Sequence, residues 1–240
     1  MRFCRDAFLA VPFVAVSVVL AAPAKKEKEE PPGPITEEQL KESANNLKQI
    51  AIAWHNFESA NAHLPSNQLD DKGKALLSWR VQILPYIEQD DLYKQFKMDE
   101  PWDSEHNKKL VDKMPKLFAP IRVKADPGMT FYQSFAGTNA VIKPGKKTML
   151  GAIPDGTSNT FMAAEAAKPV IWTKPDDMVF DGKEVPKLGG IFDGKFHAVF
   201  CDGHVLRFKK GIDGKLLGYL IDPADGNVFE LADAIDDGKD

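Results

Sequence analysis

Three side chains of the kinds that bind zinc lie close together near the C-terminal end of the chain: His197, Cys201 and His204, in the stretch FHAVFCDGHVLRF. The Asp-Gly pair in this stretch, flanked by alternating apolar residues, predicts a two-residue hairpin turn that sets Cys201 opposite His204. His197 is then about 13 Å from Cys201, whereas the ligands of one tetrahedral ion lie about 3.5–4 Å apart. The favoured interpretation is a packed hairpin without metal. The alternative is a site completed by His55 or His63.

Both faces of the predicted hairpin are apolar. One face carries His197, Val199, Cys201, His204, Leu206 and Phe208, and the other carries Phe196, Ala198, Phe200 and Val205. We therefore expect the hairpin at the centre of the fold, with Cys201 as a small buried apolar side chain.

A second polar stretch, DGTSNT, contains Asp155, Ser158 and Asn159, whose oxygens can bind a cation or a sugar hydroxyl. The same residue types close turns by hydrogen bonding to nearby backbone groups, and we favour that interpretation. Ser158 is not framed by Gly-x-Ser-x-Gly, so a serine esterase is not indicated. The three residues are candidates for binding a ligand.

Glu165 and Trp172 are further candidates for ligand binding. Glu165 interrupts the apolar run FMAAEAA, where it is either a buried acid that marks a site or, as we favour, the ion-pair partner of Arg80 or Lys168. Trp172 either forms part of an aromatic binding surface or anchors its loop on the core. The sequence contains no phosphate-binding glycine loop, HExxH or EF-hand pattern, so we predict no cofactor, metal or catalytic residue.

Residues 1–24 are typical of a secretory signal peptide, because two arginines precede an apolar run that ends in Ala-Pro-Ala. Cleavage after Ala24 would leave Lys25 as the first residue, and retention of the segment as an anchor is the alternative. Residues 25–35 are charged and then rich in proline, which predicts a disordered linker. The sequence thus predicts export, with membrane contact only through the signal peptide.

Thr36 begins TEEQ, a capping box that predicts the start of a helix over roughly residues 36–60. The apolar residues of this helix recur at spacings of three and four, so they form one face. They are Leu40, Ala44, Leu47, Ile50, Ala51 and Trp54. Short helices are expected on both sides of Pro85, and a further helix is expected over SEHNKKLVDKM, capped by Ser104.

Beyond residue 130, short β-branched and aromatic runs alternate with Asp-Gly pairs, which predicts antiparallel sheet. Residues 232–240 are acidic and predict a frayed tail. The predicted fold class is α+β, with one long N-terminal amphipathic helix packed on an antiparallel β-sheet. Short helices occupy a mid-chain insertion, and residues 36–231 form a single domain.

Six stretches in this order resemble a large family of domains of unknown function that is expanded in planctomycetes. They are NNLKQIAIAWHNFESANAHLP, LSWRVQILPYIEQDDLYKQF, EPWDSEHNKKL, IPDGTSNTFMAAEAA, VIWTKPDD and FHAVFCDGHVLRF, and the similarity spans about residues 43–222. Members are often labelled as prepilin-type or solute-binding-like, and the resemblance implies a pilin-like, pseudopilin-like architecture. This chain lacks the Gly-Phe-Thr-Leu-x-Glu prepilin signal. It also has Phe192 where many members place a histidine, ten residues before the Asp-Gly pair.

The formal net charge of −4 disfavours a nucleic-acid partner. We expect an exported, non-catalytic, monomeric pilin-like domain that acts as a binding or structural module in the cell envelope. Its partner would be an envelope protein or polysaccharide. The alternative is a periplasmic hydrolase or carbohydrate-acting enzyme that uses Asp155 and Glu165 as paired acids.

Overall fold

The computed structural model describes residues 33–143 and 145–238, so the predicted signal peptide and residues 25–32 of the predicted linker lie outside it. The α-helices are α1 (Glu37–Asn61), α2 (Trp79–Gln82), α3 (Asp90–Tyr93) and α4 (Gly214–Ile221). Four 3-10 helices span Leu84–Ile87, Asn107–Lys113, Lys116–Phe118 and Leu150–Ala152 in the described residues. The strands are β1 (Met129–Ala136), β2 (Phe161–Ile171), β3 (Met178–Val179), β4 (Phe196–Phe200) and β5 (Val205–Phe208). None of the helices described is long and apolar enough to cross a membrane.

Helix α1 begins where the capping box predicts. The Thr36 hydroxyl accepts a hydrogen bond from the Gln39 backbone N–H at 3.2 Å, and the Gln39 side chain accepts one from the Thr36 N–H at 3.1 Å. The predicted apolar face is confirmed, with Ala44 half-buried. Its buried residues are Leu40, Ser43, Asn46, Leu47, Ile50, Ala51, Ala53, Trp54 and Phe57.

The strands form one sheet in the order β3-β1-β2-β4-β5, which with the helices gives an α+β fold. The neighbours among β1, β2, β4 and β5 are antiparallel, as predicted, but the two-residue β3 runs parallel to β1. One face of the sheet packs against α1, and the other packs against α4 over a group of phenylalanines. That group is Phe135, Phe161, Phe196, Phe200 and Phe208. Strands covered on both faces explain the nearly continuous apolar sequence of β4.

Helix α4 is not predicted by the sequence. The Asp213-Gly214 pair predicts a hairpin turn, but the Asp213 carboxylate caps a helix by accepting from the Lys215 backbone N–H at 3.1 Å. Aspartate before glycine is compatible both with a hairpin turn and with the start of a helix. The helix forms because Leu217 and Leu220 pack against the second face of the sheet.

The hairpin between β4 and β5 forms, but the predicted register is wrong by one residue. Val199 pairs with Val205 and not with Leu206, so the loop has three residues, 201–203. The Gly203 N–H donates to the Phe200 carbonyl at 2.8 Å, and Gly203 has a φ of 88°. A turn followed by a left-handed glycine is the usual form of a three-residue hairpin loop.

This slip changes which residues share a face, because side chains alternate along a strand. Val205 lies on the α1 side with Val199 and Cys201. Leu206 and Phe208 lie on the α4 side. The sequence interpretation had these two groups of β5 residues exchanged.

The prediction of a frayed tail is wrong for residues 232–238. Ala234 and Asp236 are buried, and the segment pairs with β5 through the Asp236 N–H, which donates to the Arg207 carbonyl at 2.9 Å. The Asp236 carboxylate lies 3.0 Å from both the Arg207 guanidinium and the Lys195 ammonium. Asp236 is thus buried and paired, whereas Asp233 and Asp237 are exposed.

The mid-chain insertion contains short helices on both sides of Pro85, as predicted. The helix predicted over SEHNKKLVDKM is a 3-10 helix, Asn107–Lys113, and the Ser104 hydroxyl accepts from the Asn107 N–H at 3.1 Å. The insertion is attached to the sheet by a buried ion pair, in which the Arg80 guanidinium lies 2.9 Å from the Asp177 carboxylate.

Trp54→Ala should lower the free energy of unfolding by about 3–5 kcal/mol, because removal of a large buried side chain leaves a cavity. The Trp54 side chain is fully buried and packs edge-to-face on Trp79 with ring centroids 5.0 Å apart. Denaturant unfolding monitored by circular dichroism measures the change. Ile52→Ala is the matched control, since Ile52 is half exposed on the same helix and its loss should change stability little. An unchanged midpoint for Trp54→Ala would contradict the packing described.

Asp236→Asn should destabilise the protein by about 1–3 kcal/mol at neutral pH, and less at acidic pH. Burial acts to raise the pKa of Asp236, but the hydrogen bonds from Lys195 and the Gly238 backbone N–H, with the charges of Arg207 and Lys195, outweigh it and lower that pKa. A lowered folded-state pKa contributes stability above the unfolded value of about 3.9, and the contribution is lost as the pH falls through the folded value. Urea unfolding of both proteins from pH 7 to pH 3 tests this. A difference that does not shrink over that interval would refute it.

Candidate functional site

Glu165 is the centre of a buried polar cluster between α1 and the sheet. Its carboxylate accepts a short hydrogen bond from the Ser43 hydroxyl of α1. It also accepts from the His197 backbone N–H at 2.8 Å, and the His197 Nδ1 lies 3.2 Å from Oε1. Both Ser43 and Glu165 are fully buried. Three donors therefore replace the water that a carboxylate would otherwise bind.

Tyr132 and Asn46 extend this cluster. The Tyr132 hydroxyl lies 2.9 Å from the Ser43 Oγ, and the Asn46 amide donates to the tyrosine oxygen at 3.4 Å. Burial, and secondly the charge of Glu165, raise the pKa of Tyr132, so its hydroxyl stays protonated. The donors then run in one direction, from Asn46 through Tyr132 and Ser43 to Glu165.

The strands bring the cluster together by cross-strand pairing. Tyr132 of β1 is the direct partner of Glu165 of β2, and the pairing of these strands shifts between Thr130 and Tyr132. Such a bulge re-aims the side chains that follow it. Ser43 and Asn46 lie three residues apart in α1, so both face the sheet at this point.

His197 connects the cluster to the surface. Its side chain is 5% exposed and lines a solvent-facing groove of about 260 Å³ between the first turns of α1 and β5 with the C-terminal segment. The groove is also lined by Glu37, Leu40, Lys41, Ala44, Val205, Arg207, Asp236 and Asp237. The imidazole is therefore fixed from inside by Glu165 and accessible from outside at one edge.

This arrangement does not match a serine nucleophile. In a Ser-His-Asp triad the imidazole lies between the hydroxyl and the carboxylate and takes the serine proton. Here the Glu165 carboxylate lies between Ser43 and His197, and Ser43 is buried beneath α1. The cluster is suited to holding an imidazole in one orientation.

The residues of DGTSNT form a turn, as favoured from the sequence. The Asp155 carboxylate accepts from the Asp225 and Gly226 backbone N–H groups at 2.7 and 3.1 Å. The Asn159 side chain donates to the Asp155 carbonyl at 2.8 Å, and Ser158 is exposed. Asn159 thus binds the backbone of its own turn, and Asp155 binds the backbone of the segment that follows α4.

The predicted ion pair of Glu165 with Arg80 or Lys168 is wrong. Arg80 pairs with Asp177, and Glu165 binds Ser43 and His197 instead. The Glu165 carboxylate binds Ser43 of α1 in the core, whereas Lys168 is exposed and Arg80 is already paired.

Trp172 lies in the core and not on a binding surface. It is fully buried, its ring stacks on Phe118 at a centroid distance of 6.0 Å, and its indole N–H donates to the Val111 carbonyl at 2.9 Å. The structure therefore does not bring the five candidate residues to one place. Asp155, Ser158 and Asn159 share a turn, and Glu165 and Trp172 lie apart from it in the core.

The Cys201 thiol and the two imidazoles of the hairpin each lie in a different environment. Burial, and then the charges of Asp202 and Glu58, raise the pKa of Cys201, so the thiol stays protonated. The His204 Nδ1 lies 2.6 Å from the Asp202 carboxylate, and this contact is on the surface. Within residues 33–143 and 145–238, no group of three or more His, Cys, Asp or Glu side chains is arranged to hold a metal ion.

Sequence reasoning missed Ser43, Tyr132 and the role of His197. Ser43 is a polar residue on the apolar face of α1, and Glu165 is a polar residue in an apolar strand. Two polar residues on faces that pack together are expected to bind one another, because an unpaired buried polar group is costly. That signal was present in the sequence.

Part of the chain matches a known protein-family model. Residues 41–123 match the model of a family described as "Protein of unknown function (DUF1559)". This match supports similarity to a domain family of unknown function, and it covers most of α1 and the insertion but ends before β1. No curated protein matches the chain, and no solved structure matches it.

Ser43→Ala should destabilise the protein by about 1.5–3 kcal/mol, because the Glu165 carboxylate loses a donor in a place that water does not reach. Ser158→Ala is the matched control, since Ser158 is exposed. Thermal and urea unfolding of both variants measure the difference.

A double-mutant cycle tests the partner directly. Ser43→Ala combined with Glu165→Ala, which removes both oxygens that can accept from the serine, should show a coupling energy of about 0.5–3 kcal/mol. Additive effects would mean that the serine and the glutamate do not interact.

Proposed function

We propose that this protein is an exported, non-catalytic module of the cell envelope with a pilin-like architecture, which binds an envelope protein or polysaccharide. The observation that carries the proposal is the use of the acidic side chains. Asp155 binds two backbone N–H groups, and Glu165 binds Ser43 and His197 beneath α1. The carboxylates best placed in the sequence for acid–base chemistry hold the fold together.

The alternative of a hydrolase is less well supported. Paired acids of glycosidases flank one bond, with carboxyl groups about 5–9.5 Å apart and accessible to substrate. Asp155 lies in a turn against residues 225 and 226, whereas Glu165 is fully buried under a helix. Different partners fix them, and a substrate would have to displace α1 to reach Glu165.

The surface of α1 supports a monomer that does not form filaments. Its apolar face packs against its own sheet, and Ile52 is half exposed on the outer side. One isoleucine does not provide the continuous apolar surface on which helices associate. We therefore propose that contacts with a partner are made through polar grooves beside α1.

The protein expressed in its native host should be recovered from the envelope or extracellular fraction with Lys25 as its first residue. The reason is the signal-like sequence of residues 1–24, which ends in Ala-Pro-Ala. Intact-mass analysis of each fraction tests processing, and light scattering should give the mass of a monomer. A protein that keeps Met1 in the cytosol, or one that forms filaments, would contradict the proposal.

A separate assay tests whether the protein hydrolyses polysaccharide. The purified protein is incubated with isolated envelope polysaccharides, and reducing ends are measured for the wild type, Asp155→Asn and Glu165→Gln. We expect no release above background from any of the three. Release by the wild type that both variants lose would establish the hydrolase instead.

A further inference from the structure

The groove beside α1 has features of a ligand site that the sequence candidates did not include. It lies between the first turns of α1 and β5, has a volume of about 260 Å³, and is open to solvent on one side. This volume is slightly below the roughly 300 Å³ at which sites for drug-sized molecules begin. It fits one small ring, and its open side lets a longer chain continue.

His197 presents a fixed nitrogen to this groove. Glu165 binds both its backbone N–H and its Nδ1, so the imidazole cannot turn freely. The hydrogen bonds of the described residues leave the Nε2 without a protein partner, although the side chain is 95% buried and lines the groove. The Nε2 is not one of the fully buried atoms that lack a partner, so water or a ligand can reach it. An imidazole held in one orientation with an accessible nitrogen is prepared to bond a ligand in the groove.

The other polar groups of the groove can both donate and accept hydrogen bonds. Lys41 and Glu37 lie one helical turn apart at the rim and carry opposite charges. Arg207 is neutralised by Asp236 at 3.0 Å. Asp237 adds a third carboxylate to the lining, so donors and acceptors are both present and the slight excess of acidic side chains disfavours an anion.

Part of the lining is apolar, and it is formed by Leu40, Ala44 and Val205. A ligand that matches this groove has one face of C–H groups and an edge of hydroxyl groups that both donate and accept. A sugar ring has this combination.

We propose that the groove binds a neutral sugar residue of an envelope glycan. The His197 Nε2 bonds one ring hydroxyl, Lys41 and Glu37 bond hydroxyls at the rim, and the C–H face packs on the side chains of Leu40 and Val205. The Glu165 cluster is the support that holds His197 in place. This inference rests on the proposed function and specifies its ligand.

The test uses the full chain and three neutral trisaccharides, made of glucose, mannose and N-acetylglucosamine. Binding is measured by calorimetry and by the ¹⁵N shifts of the histidine side chains. His197→Asn keeps a donor in the place of Nδ1 for Glu165 but removes the nitrogen that faces the groove. We expect at least one trisaccharide to bind the wild type and to shift His197, and His197→Asn to bind it about tenfold more weakly.

The matched control is His204→Asn, because the His204 Nδ1 also contacts a carboxylate, that of Asp202, but does not line the groove. This variant should bind like the wild type. Lys41→Met, with Lys108→Met as its exposed control, gives a second test that does not disturb the buried cluster. Lys41→Met should weaken binding severalfold, and Lys108→Met should leave it unchanged.

Several outcomes would overturn the inference. These are equal affinity of the wild type, His197→Asn and Lys41→Met, or no binding of any of the three sugars. Shifts of His197 with phosphate or glutamate and not with sugars would assign a different ligand chemistry. Recovery of the protein from the cytosol would refute the proposed function and leave the sugar measurement unaffected, so the two failures are distinguishable.

Discussion

The buried ion pair between Arg80 and Asp177 connects the mid-chain insertion to the sheet. The guanidinium also donates to the Tyr132 carbonyl at 2.9 Å, and Asp177 accepts from the Ser134 N–H at 3.0 Å, so both partners hold β1. Burial lowers the pKa of Arg80, and the Asp177 charge opposes that change, so the guanidinium remains protonated. Removing one partner of such a pair leaves a buried charge, which is strongly unfavourable. Because Tyr132 also completes the cluster under α1, the geometry of the candidate site depends on this pair.

The polar cluster and the apolar core have different roles in placing α1. Apolar packing drives the helix onto the sheet, but one apolar stripe fits a strand surface at more than one position along its axis. The hydrogen bond between Ser43 and Glu165 forms at one position only. A helix displaced by a turn would leave a buried carboxylate short of a donor. The cluster therefore selects one register, and His197 acquires its fixed orientation as part of that selection.

Local signals in the sequence account for the parts of the fold that were predicted correctly. Thr36 starts α1 through a hydrogen-bond pattern contained in four residues, so its prediction needs no tertiary information. Gly203 and Asp213 show the opposite case, since Asp-Gly fits a two-residue turn, a three-residue loop and a helix cap alike. The cluster was harder still, because Ser43 and Glu165 are 122 positions apart and meet only when helix and sheet have packed. The sequence indicated that Glu165 is unusual, but it did not identify Ser43 as its partner.

The pairing of the C-terminal segment with β5 has a consequence for how the protein behaves at high concentration. An open strand edge offers unpaired N–H and C=O groups to a second molecule, and long exposed edges promote association between sheets. Here Lys209 and Asp236 use their backbone N–H groups within the chain, at the edge formed by β5. At the opposite edge, β3 is two residues long. The sheet is therefore protected against edge-to-edge growth on both sides, and recognition by other molecules is left to side chains.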